Sequence, residues 1–461
     1  MFEKESHTPK SWITATLDQI CSHPQYGWTC KACSGGDVKL LRTTDISSGT
    51  IDWATVPFCT EIPKKETEYH LTEGDIVVSR AGSVGKSFII KGSVPRAVFA
   101  SYLVRFKPYI ERLYVYHFMQ SRMYWEQIEE KSAGIAVPNV NGSKLAKIVL
   151  TVAPLNEQKR IVDKIEQLFS NIDEGEALLK QVQKQLATYR QSVLKAAVTG
   201  KLIGLDANEW PEQTIGQLLK DIRYGTAKKC LFDPSKTPVL RIPNVAGGKI
   251  DLSDLKHTDF TETELEKLRL EYGDLLLVRS NGSVSLVGLS AMVTKQAVGY
   301  AYAGYLIRLR LKQDIILPDF LNLYLHSPIV RGRIELQARS TSGVHNINSN
   351  EVKSISLRVP PLQHQEDTVS KVDDIFSQIA ALESWCASEL ARSATLRQSI
   401  LKDAFSGKLV PQDPTDEPAS ELLKRIQEER DSATKTTKQK SSALPRPRGR
   451  WKKSDKESTE E

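Results

Sequence analysis

Side chains with directional hydrogen-bond donors recur between the β-like runs of this 461-residue sequence. Arg matches guanine and Asn or Gln matches adenine in the major groove, while Lys, Arg and Tyr also reach phosphates. The candidates in the first half are Gln25, Tyr26, Arg42, Arg80, Lys86 and Asn139, and those in the second half are Arg223, Tyr224, Arg241, Arg279, Asn281, His345 and Asn346.

Each candidate can instead contact a phosphate or shape a turn. Arg80 matches Arg279 in the second half, and Asn139 matches Asn346. We expect such shared positions to serve the fold or the DNA backbone. We expect sequence reading to depend on positions where the halves differ.

One loop resembles a nucleotide-binding motif. Residues 79–87 end in Gly-Lys-Ser, but Arg80 stands where a phosphate-binding loop needs glycine. The second copy, residues 279–285, has no corresponding lysine. The open interpretations are a turn between strands and a basic loop that faces DNA.

Two further motifs resemble a metal site and a nuclease site. Cys30 and Cys33 have the spacing of zinc ligands, but nothing similar surrounds Cys230. Asp319 with residues 351–353 resembles a nuclease signature, yet the first half lacks the matching carboxylate. Nothing in the sequence resembles a methyltransferase cofactor motif or a Ser/His/Asp nucleophile system, so we expect no catalytic residues in this chain. Because the cysteine pair is not repeated in the second half, we expect no metal site either.

Nearly the same sequence occurs twice. Residues 190–202 return as residues 397–409, with nine of the thirteen positions identical. Further matches, at offsets of 199 to 207 residues, extend through both halves. A repeat of this length is too long for a solenoid unit and predicts two similar domains.

Heptad spacing predicts two long helices after the two β-rich segments. Glu389 and Ser393 interrupt the seam of the second helix, whose face is widened by Val369, Phe376 and Leu390. That wider face indicates either a second partner surface or packing on the adjacent domain. The predicted seam positions are Ile161, Ile165, Leu168, Ile172, Leu179, Val182 and Leu186 in the first helix, and Val372, Ile375, Ile379, Leu382, Leu396 and Ile400 in the second.

The predicted fold class is α+β. Two similar mixed α/β domains, residues 1–153 (domain 1) and 206–359 (domain 2), are joined by long helices at residues 154–205 and 360–410. We expect the helices to form an antiparallel coiled coil with approximate two-fold symmetry. Residues 411–461 are expected to form a short helix, residues 419–430, and a basic tail that is disordered over residues 435–456.

Composition sets broad limits on location and partners. The net charge of +7 is compatible with nucleic acid or other acidic partners. No run approaches the ~18 apolar residues of a membrane span, so no membrane association is expected. Six scattered cysteines indicate a reducing, cytoplasmic environment.

The chain resembles the specificity subunit of Type I restriction-modification systems. The resemblance covers residues 10–430 and rests on the repeated block at residues 190–202 and 397–409. It also rests on the two Pro-Leu-X-X-Gln helix starts at residues 154–158 and 361–365.

The resemblance implies a non-catalytic subunit with two target-recognition domains, each reading half of a bipartite sequence in double-stranded DNA. It implies two methyltransferase subunits and two restriction/translocase subunits as partners. S-adenosylmethionine, ATP and Mg²⁺ would belong to those partners and not to this subunit. Two other hypotheses stay open: a two-headed protein-binding adaptor without DNA contact, and an enzyme with an unrecognised site.

Overall fold

The computed structural model describes residues 9–46, 49–132, 139–337 and 345–442. The chain divides into two compact units. Unit 1 comprises residues 1–176 and 391–461, and unit 2 comprises residues 177–390. Each unit therefore combines one domain with the start of one long helix and the end of the other.

Domain 1 consists of short strands and helices and leads into the first long helix. The strands are β1 (Ile13–Thr16), β2 (Gln25–Tyr26), β3 (Ala32–Cys33), β4 (Lys39–Leu41), β5 (Phe58–Cys59), β6 (Ile76–Ser79), β7 (Ser87–Ile89), β8 (Ala97–Phe99), β9 (Leu103–Phe106) and β10 (Val149–Val152). The helices are α1 (Leu17–Ile20), α2 (Glu66–Tyr69), α3 (Arg112–Phe118), α4 (Arg122–Ser132), α5 (Gly142–Ala146) and the long α6 (Leu155–Val198).

Two sheets form the centre of domain 1. One has the strand order β2-β9-β6-β7, and the other has the order β3-β5-β4-β8, in which β4 and β8 are parallel. All four residues of β6 are buried, although successive side chains point to opposite faces of the sheet. Ile76 and Val78 enter the main core, and Val77 enters a second core on the other side. Strands β1 and β10 form a separate antiparallel pair.

Domain 2 repeats this plan. Its strands are β11 (Glu212–Thr214), β12 (Leu219–Tyr224), β13 (Thr237–Leu240), β14 (Lys256–Thr258), β15 (Leu275–Val278), β16 (Ser280–Asn281), β17 (Ser290–Met292), β18 (Ala301–Tyr302), β19 (Leu306–Leu311), β20 (His345–Asn346) and β21 (Ser356–Arg358). Its helices are α7 (Ile215–Leu218), α8 (Ile242–Val245), α9 (Glu262–Leu268), α10 (Pro318–His326), α11 (Pro328–Gln337) and α12 (Ser349–Ser354), and the chain continues into α13 (Leu362–Phe405) and α14 (Ala419–Ser442).

The central sheet of domain 2 matches that of domain 1, whereas its second sheet has three strands, β14-β13-β18, instead of four. The order β12-β19-β15-β17 corresponds to β2-β9-β6-β7, and the parallel pair β13/β18 corresponds to β4/β8. The buried strand β15 again sends alternate side chains into two cores, Leu275 and Leu277 into one and Leu276 and Val278 into the other. The prediction of two similar mixed α/β domains with two long helices is confirmed.

The long helices run antiparallel where they meet inside each unit. In unit 1, Arg397 of α13 contacts Asp173 of α6, while Phe405 packs in the core that holds Ile161. In unit 2, Arg190 of α6 contacts Glu383, while Val193 packs with Val372. In both units, residue numbers rise along one helix as they fall along the other.

The predicted seam is correct in period but wrong at two positions. Ile161, Ile165, Leu186, Val372, Ile379 and Ile400 are buried, and Leu168, Ile172, Leu179, Val182 and Ile375 are partly buried. Leu382 and Leu396, however, are 47% and 49% exposed. The next residue in each case, Glu383 or Arg397, takes part in ion pairs with the other helix, which turns the leucines outward.

The C-terminal helix α14 covers part of domain 1. Ala419 donates its N–H to the carbonyl of Ser11 at 3.0 Å, and Leu422 and Ile426 join the core of domain 1. The helix extends to Ser442, beyond the predicted end at residue 430, because no glycine or proline interrupts residues 431–442. It therefore includes the first part of the segment predicted to be disordered; residues 443–456 of that segment lie outside the described residues.

The helices of the described ranges are too short or too polar to span a membrane. None of them combines the length and the apolar run that crossing a lipid bilayer requires.

Candidate nucleic-acid interface

Arg80 follows the buried strand β6 and stacks on a tyrosine. Its guanidinium lies over the ring of Tyr26, 5.1 Å from the ring centre. The Tyr26 hydroxyl accepts a hydrogen bond from the N–H of Gly142 at 2.7 Å, which fixes the ring against α5. The backbone N–H of Arg80 donates to the carbonyl of Tyr102 at 2.9 Å. Segments that are distant in sequence thus position a single arginine.

Domain 2 builds the same arrangement. Arg279 follows β15, and its guanidinium lies 4.5 Å from the centre of the Tyr224 ring. The Tyr224 hydroxyl accepts from the N–H of Ser349 at 2.8 Å, and Arg279 donates its own N–H to the carbonyl of Tyr305 at 2.9 Å. We call each of these two pairs an Arg–Tyr stack.

The predicted asparagines lie beside the stacks. Asn139 forms a β-bridge with Ala81, and Asn346 of β20 pairs with Ser280 of β16. Arg279 donates from Nε to the Oδ1 of Asn346 at 3.4 Å. In domain 1, the corresponding Nε of Arg80 and Oδ1 of Asn139 are both buried without a hydrogen-bond partner in the described residues.

Other predicted arginines are neutralised by carboxylates. Arg42 pairs with Asp45 at 2.7 Å, and this hydrogen bond raises the pKa of the Arg42 guanidinium. Arg241 pairs with Asp254 at 2.7 Å. These two residues correspond between the domains, so both domains hold this arginine with an acid.

Arg223 lies next to Tyr224, its neighbour in β12, and its Nε is 3.6 Å from a carboxylate oxygen of Asp221. Lys86 lies six residues after Arg80 and immediately precedes β7, whereas His345 of β20 is distant in sequence and is brought near Arg279 by its pairing with Asn281 of β16.

Two predicted polar residues are engaged within their own domains. Gln25 donates to the carbonyl of Glu68 at 2.7 Å and accepts from Arg105. Asn281 accepts the N–H of Ser283 at 2.8 Å and thereby shapes the turn after β16. Both side chains already have structural hydrogen bonds in the unbound protein.

The sequence analysis missed a buried arginine in each central sheet. Arg105 is 4% exposed and binds Asp75 at 3.2 Å, and burial lowers the pKa of its guanidinium. Arg308, at the matching position, is 2% exposed and pairs with Asp221. The repeated Leu-X-Arg pattern was visible in sequence, but only the fold shows that these arginines face inward.

Each domain also has a groove that was not predicted from the sequence. In domain 2, a cavity of about 530 Å³ is lined by Lys228, Arg241, Lys256 and Tyr305, among others. In domain 1, a cavity of about 400 Å³ is lined by Trp28, Lys64, Lys65 and Tyr69, together with acidic and apolar residues. The two grooves differ in composition, whereas the stacks are alike.

Domain 2 also exposes an aromatic side chain near its groove. Phe232 is 72% exposed, and the Nζ of Lys256 lies 5.1 Å from the centre of its ring. Lysine next to an exposed aromatic ring is a composition that suits nucleic-acid contact.

The motifs that resembled catalytic sites have structural explanations. Glu351 accepts the N–H of Asn348 at 2.7 Å and so caps α12, while Asp319 lies in the first turn of α10. In the described ranges, no group of three or more metal-binding side chains comes together, Cys30 and Cys33 included.

The comparisons with known proteins agree on one family. The family model described as "Type I restriction modification DNA specificity domain" matches the chain twice, at residues 9–184 and 208–385. The Type I restriction enzyme EcoKI specificity subunit of Escherichia coli K12 is 30% identical over 414 residues, covering 85% of this chain and 88% of the relative. The StySPI specificity subunit of Salmonella potsdam is 27% identical, covering 92% and 96%.

A solved chain from work on the assembly and conformational transition of the type I R-M system shares the fold. It has a TM-score of 0.67 at 18% identity and covers 87% of this chain and 99% of its own length. Two family matches, relatives that match over most of the chain and a shared fold together lead to one conclusion: the chain belongs to the family of Type I restriction-modification DNA specificity subunits.

Proposed function

We propose that this chain is the non-catalytic DNA-reading subunit of a Type I restriction-modification complex and that it binds a bipartite, asymmetric target in double-stranded DNA. Domain 1 would read one half of the target and domain 2 the other. The two halves would be separated by base pairs that neither domain reads.

One observation carries this proposal: the two domains share a scaffold but differ at the surface. The central sheets β2-β9-β6-β7 and β12-β19-β15-β17 correspond, and each domain has an Arg–Tyr stack. The grooves are formed by different segments of the two domains, with Lys228 and Lys256 in domain 2 and with Trp28 and Lys64 in domain 1. Two similar readers with unlike surfaces suit a target with two unlike halves.

We further propose that the chain holds two methyltransferase subunits and two restriction/translocase subunits. Exposed apolar side chains on the long helices support a docking role, because such residues are costly to leave in water. Leu178 is 63% exposed and Trp385 is 55% exposed. S-adenosylmethionine, ATP and Mg²⁺ would be bound by these partners.

The test is the methylation pattern of a bacterial strain that carries this chain and its methyltransferase partner. We expect methylated adenines in a motif with two specified parts and an unspecified gap. When residues 206–359 are replaced by those of a relative with a different target, one part should change and the other should persist. Single-molecule sequencing of the genomic DNA reads both results.

The reciprocal exchange of residues 9–153 is the matched control and should change the other part only. If either exchange alters both parts, the domains do not read separately. A strain without any chain-dependent methylated motif, together with a purified complex that binds no duplex, would favour the protein-binding adaptor instead.

A further inference from the structure

We propose that Arg80 and Arg279 each bind a phosphate of the DNA backbone, in the same manner in both domains, and that these contacts add affinity without reading sequence. This inference rests on the proposed function and deepens it. It assigns phosphate binding to Arg80 and Arg279 and leaves the reading of bases to other candidate residues.

The backbone on both sides of each arginine is fixed before any ligand arrives. Arg80 donates its N–H to Tyr102, and its carbonyl accepts the N–H of Val140 at 3.1 Å. Arg279 donates to Tyr305 and accepts from Ile347 at 2.8 Å. Each arginine is therefore held between two other segments of its domain, and less conformational freedom is lost on binding.

The tyrosine ring fixes the side chain while leaving donors available. Stacking uses the face of the planar guanidinium, and the N–H groups lie along its edge. Tyr26 and Tyr224 are themselves held by hydrogen bonds to Gly142 and Ser349. A phosphate that approaches the edge of the guanidinium meets donors whose direction is already set.

Neither arginine is neutralised by a carboxylate in the described part of the chain. Most arginines near the candidate surfaces have an acidic partner, as Arg42 has Asp45 and Arg241 has Asp254. Among described residues, no ion pair involves Arg80 or Arg279, and the Nε of Arg80 has no acceptor. A positive charge kept without a counter-ion favours an anionic ligand.

The loop beside each arginine lets a bulky anion approach. Gly82 and Gly282 are exposed, and a Cβ added at either would meet no atom within 4 Å. Val84 and Val284 pack behind these loops against the domain cores. The small residues at the tip of each loop, with the valine packed behind them, leave room for a sugar-phosphate strand.

The duplication itself argues for phosphate over base. The same side chain in the same surroundings would select the same base in both halves of the target. Every nucleotide of any sequence carries a phosphate, so the same arginine contact can be made in two unlike half-sites.

The experiment measures DNA binding by the complex of this chain with its methyltransferase partner, using Arg80→Gln and Arg279→Gln variants. Affinities are measured across a salt series for a duplex with the methylated motif and for an unrelated duplex of equal length. We expect each variant to bind both duplexes about tenfold more weakly. The slope of log affinity against log salt should become shallower by about 1.

Lysine variants at the same positions keep the charge, and their salt slope should remain close to that of the wild type. Arg122→Gln and Arg269→Gln are matched controls, because Arg122 pairs with Glu126 and Arg269 with Glu262. These controls should leave both affinities within about twofold. Thermal melting of every complex checks that the fold is retained, and the lysine variants provide the comparison if a glutamine variant melts early.

Two results would overturn the inference. One is unchanged binding in the glutamine variants. The other is a loss confined to the motif duplex with relaxed preference at one base pair, which would make the arginine a base reader. Salt-dependent DNA binding by the wild-type complex keeps these outcomes distinct from failure of the proposed function, which would abolish that binding altogether.

Discussion

Two buried glutamines explain why the Pro-Leu-X-X-Gln motif opens both long helices. Gln158 is fully buried; it accepts the N–H of Glu111 at 3.1 Å and donates to the carbonyl of Ala153 at 2.7 Å. Gln365 accepts the N–H of Leu317 at 2.7 Å and donates to the carbonyl of Pro360 at 2.8 Å. Each glutamine joins the first turn of a helix to the domain before it.

Replacing Gln158 with alanine should weaken the attachment of α6 to domain 1. The Glu111 N–H and the Ala153 carbonyl would lose their partner in a buried site, which costs about 2 kcal/mol or more. Urea denaturation should show this as a lower free energy of unfolding. The control is Gln167→Ala on the exposed face of α6, which should cost less than about 0.5 kcal/mol. Equal losses in the two variants would contradict this explanation of the motif.

At the level of single residues, sequence reasoning found the types but not the pairings. Arg80 and Tyr26 were both candidates, yet their stacking joins positions 54 residues apart and depends on sheet order. Arg105 was missed because a charged residue within a strand normally indicates the solvent face. Its hydrogen bonds to Asp75 and to the carbonyl of Glu68 show why this one can be buried.

Between the long helices, one arginine in each unit makes the same two contacts, a cation–π contact and an ion pair. Arg190 lies over the ring of Phe376 at 4.6 Å and pairs with Glu383 at 3.2 Å. Arg397, the matching residue of the repeat, lies over Phe169 at 5.1 Å and pairs with Asp173 at 2.7 Å. The repeated block thus begins with a residue that fastens one helix to the other.

Replacing Arg397 with alanine should lower the stability of unit 1 by about 1 kcal/mol, from the ion pair and the cation–π contact together. The loss should shrink at high salt, because the ion pair is partly exposed. A double-mutant cycle with Asp173→Ala isolates the ion pair. Arg122→Ala, which removes an exposed pair within one helix, should have less than half the effect. Additive effects of Arg397→Ala and Asp173→Ala would mean that this ion pair contributes nothing.

Heptad spacing predicted the length and partners of the helices but not every inward residue. An arginine can lay its apolar stem along an interface while its charged end reaches an acid or solvent. Arg397 and Glu383 therefore displace Leu396 and Leu382, which hydrophobicity alone places inside. A pattern of apolar residues cannot reveal an ion pair that forms only when two particular helices meet.

Across the whole chain, the compact units of the structure do not coincide with the segments that the sequence suggests. The sequence changes character at residues 154 and 360, where the long helices were expected to begin as separate segments. The compact units instead divide within the helices, after residues 176 and 390. The cause is visible in the cores: Phe405 at the end of α13 packs in domain 1, and Val198 at the end of α6 packs in domain 2.

If the helices set the distance between the half-sites, inserting seven residues into each should lengthen the unread gap. Insertions after Glu176 and Leu390 preserve the heptad phase in both helices. Seven residues add about 10 Å, which corresponds to about three base pairs. The methylated motif reports the gap directly. An unchanged gap in a complex that still methylates would show that the helices do not set this distance, and insertion into one helix alone serves as the disrupted control.

Because α14 packs on domain 1, the order of translation affects when the core of each domain can be completed. Domain 1 is translated before domain 2, yet Leu401, Phe405, Leu422 and Ile426 of its core are translated after domain 2. Domain 2 receives its core residues within a shorter stretch of the chain, and so can fold while synthesis continues. The core of domain 1 is therefore completed after the core of domain 2. A prematurely terminated chain would carry exposed apolar surface, which marks it for proteolysis before it can join a partner.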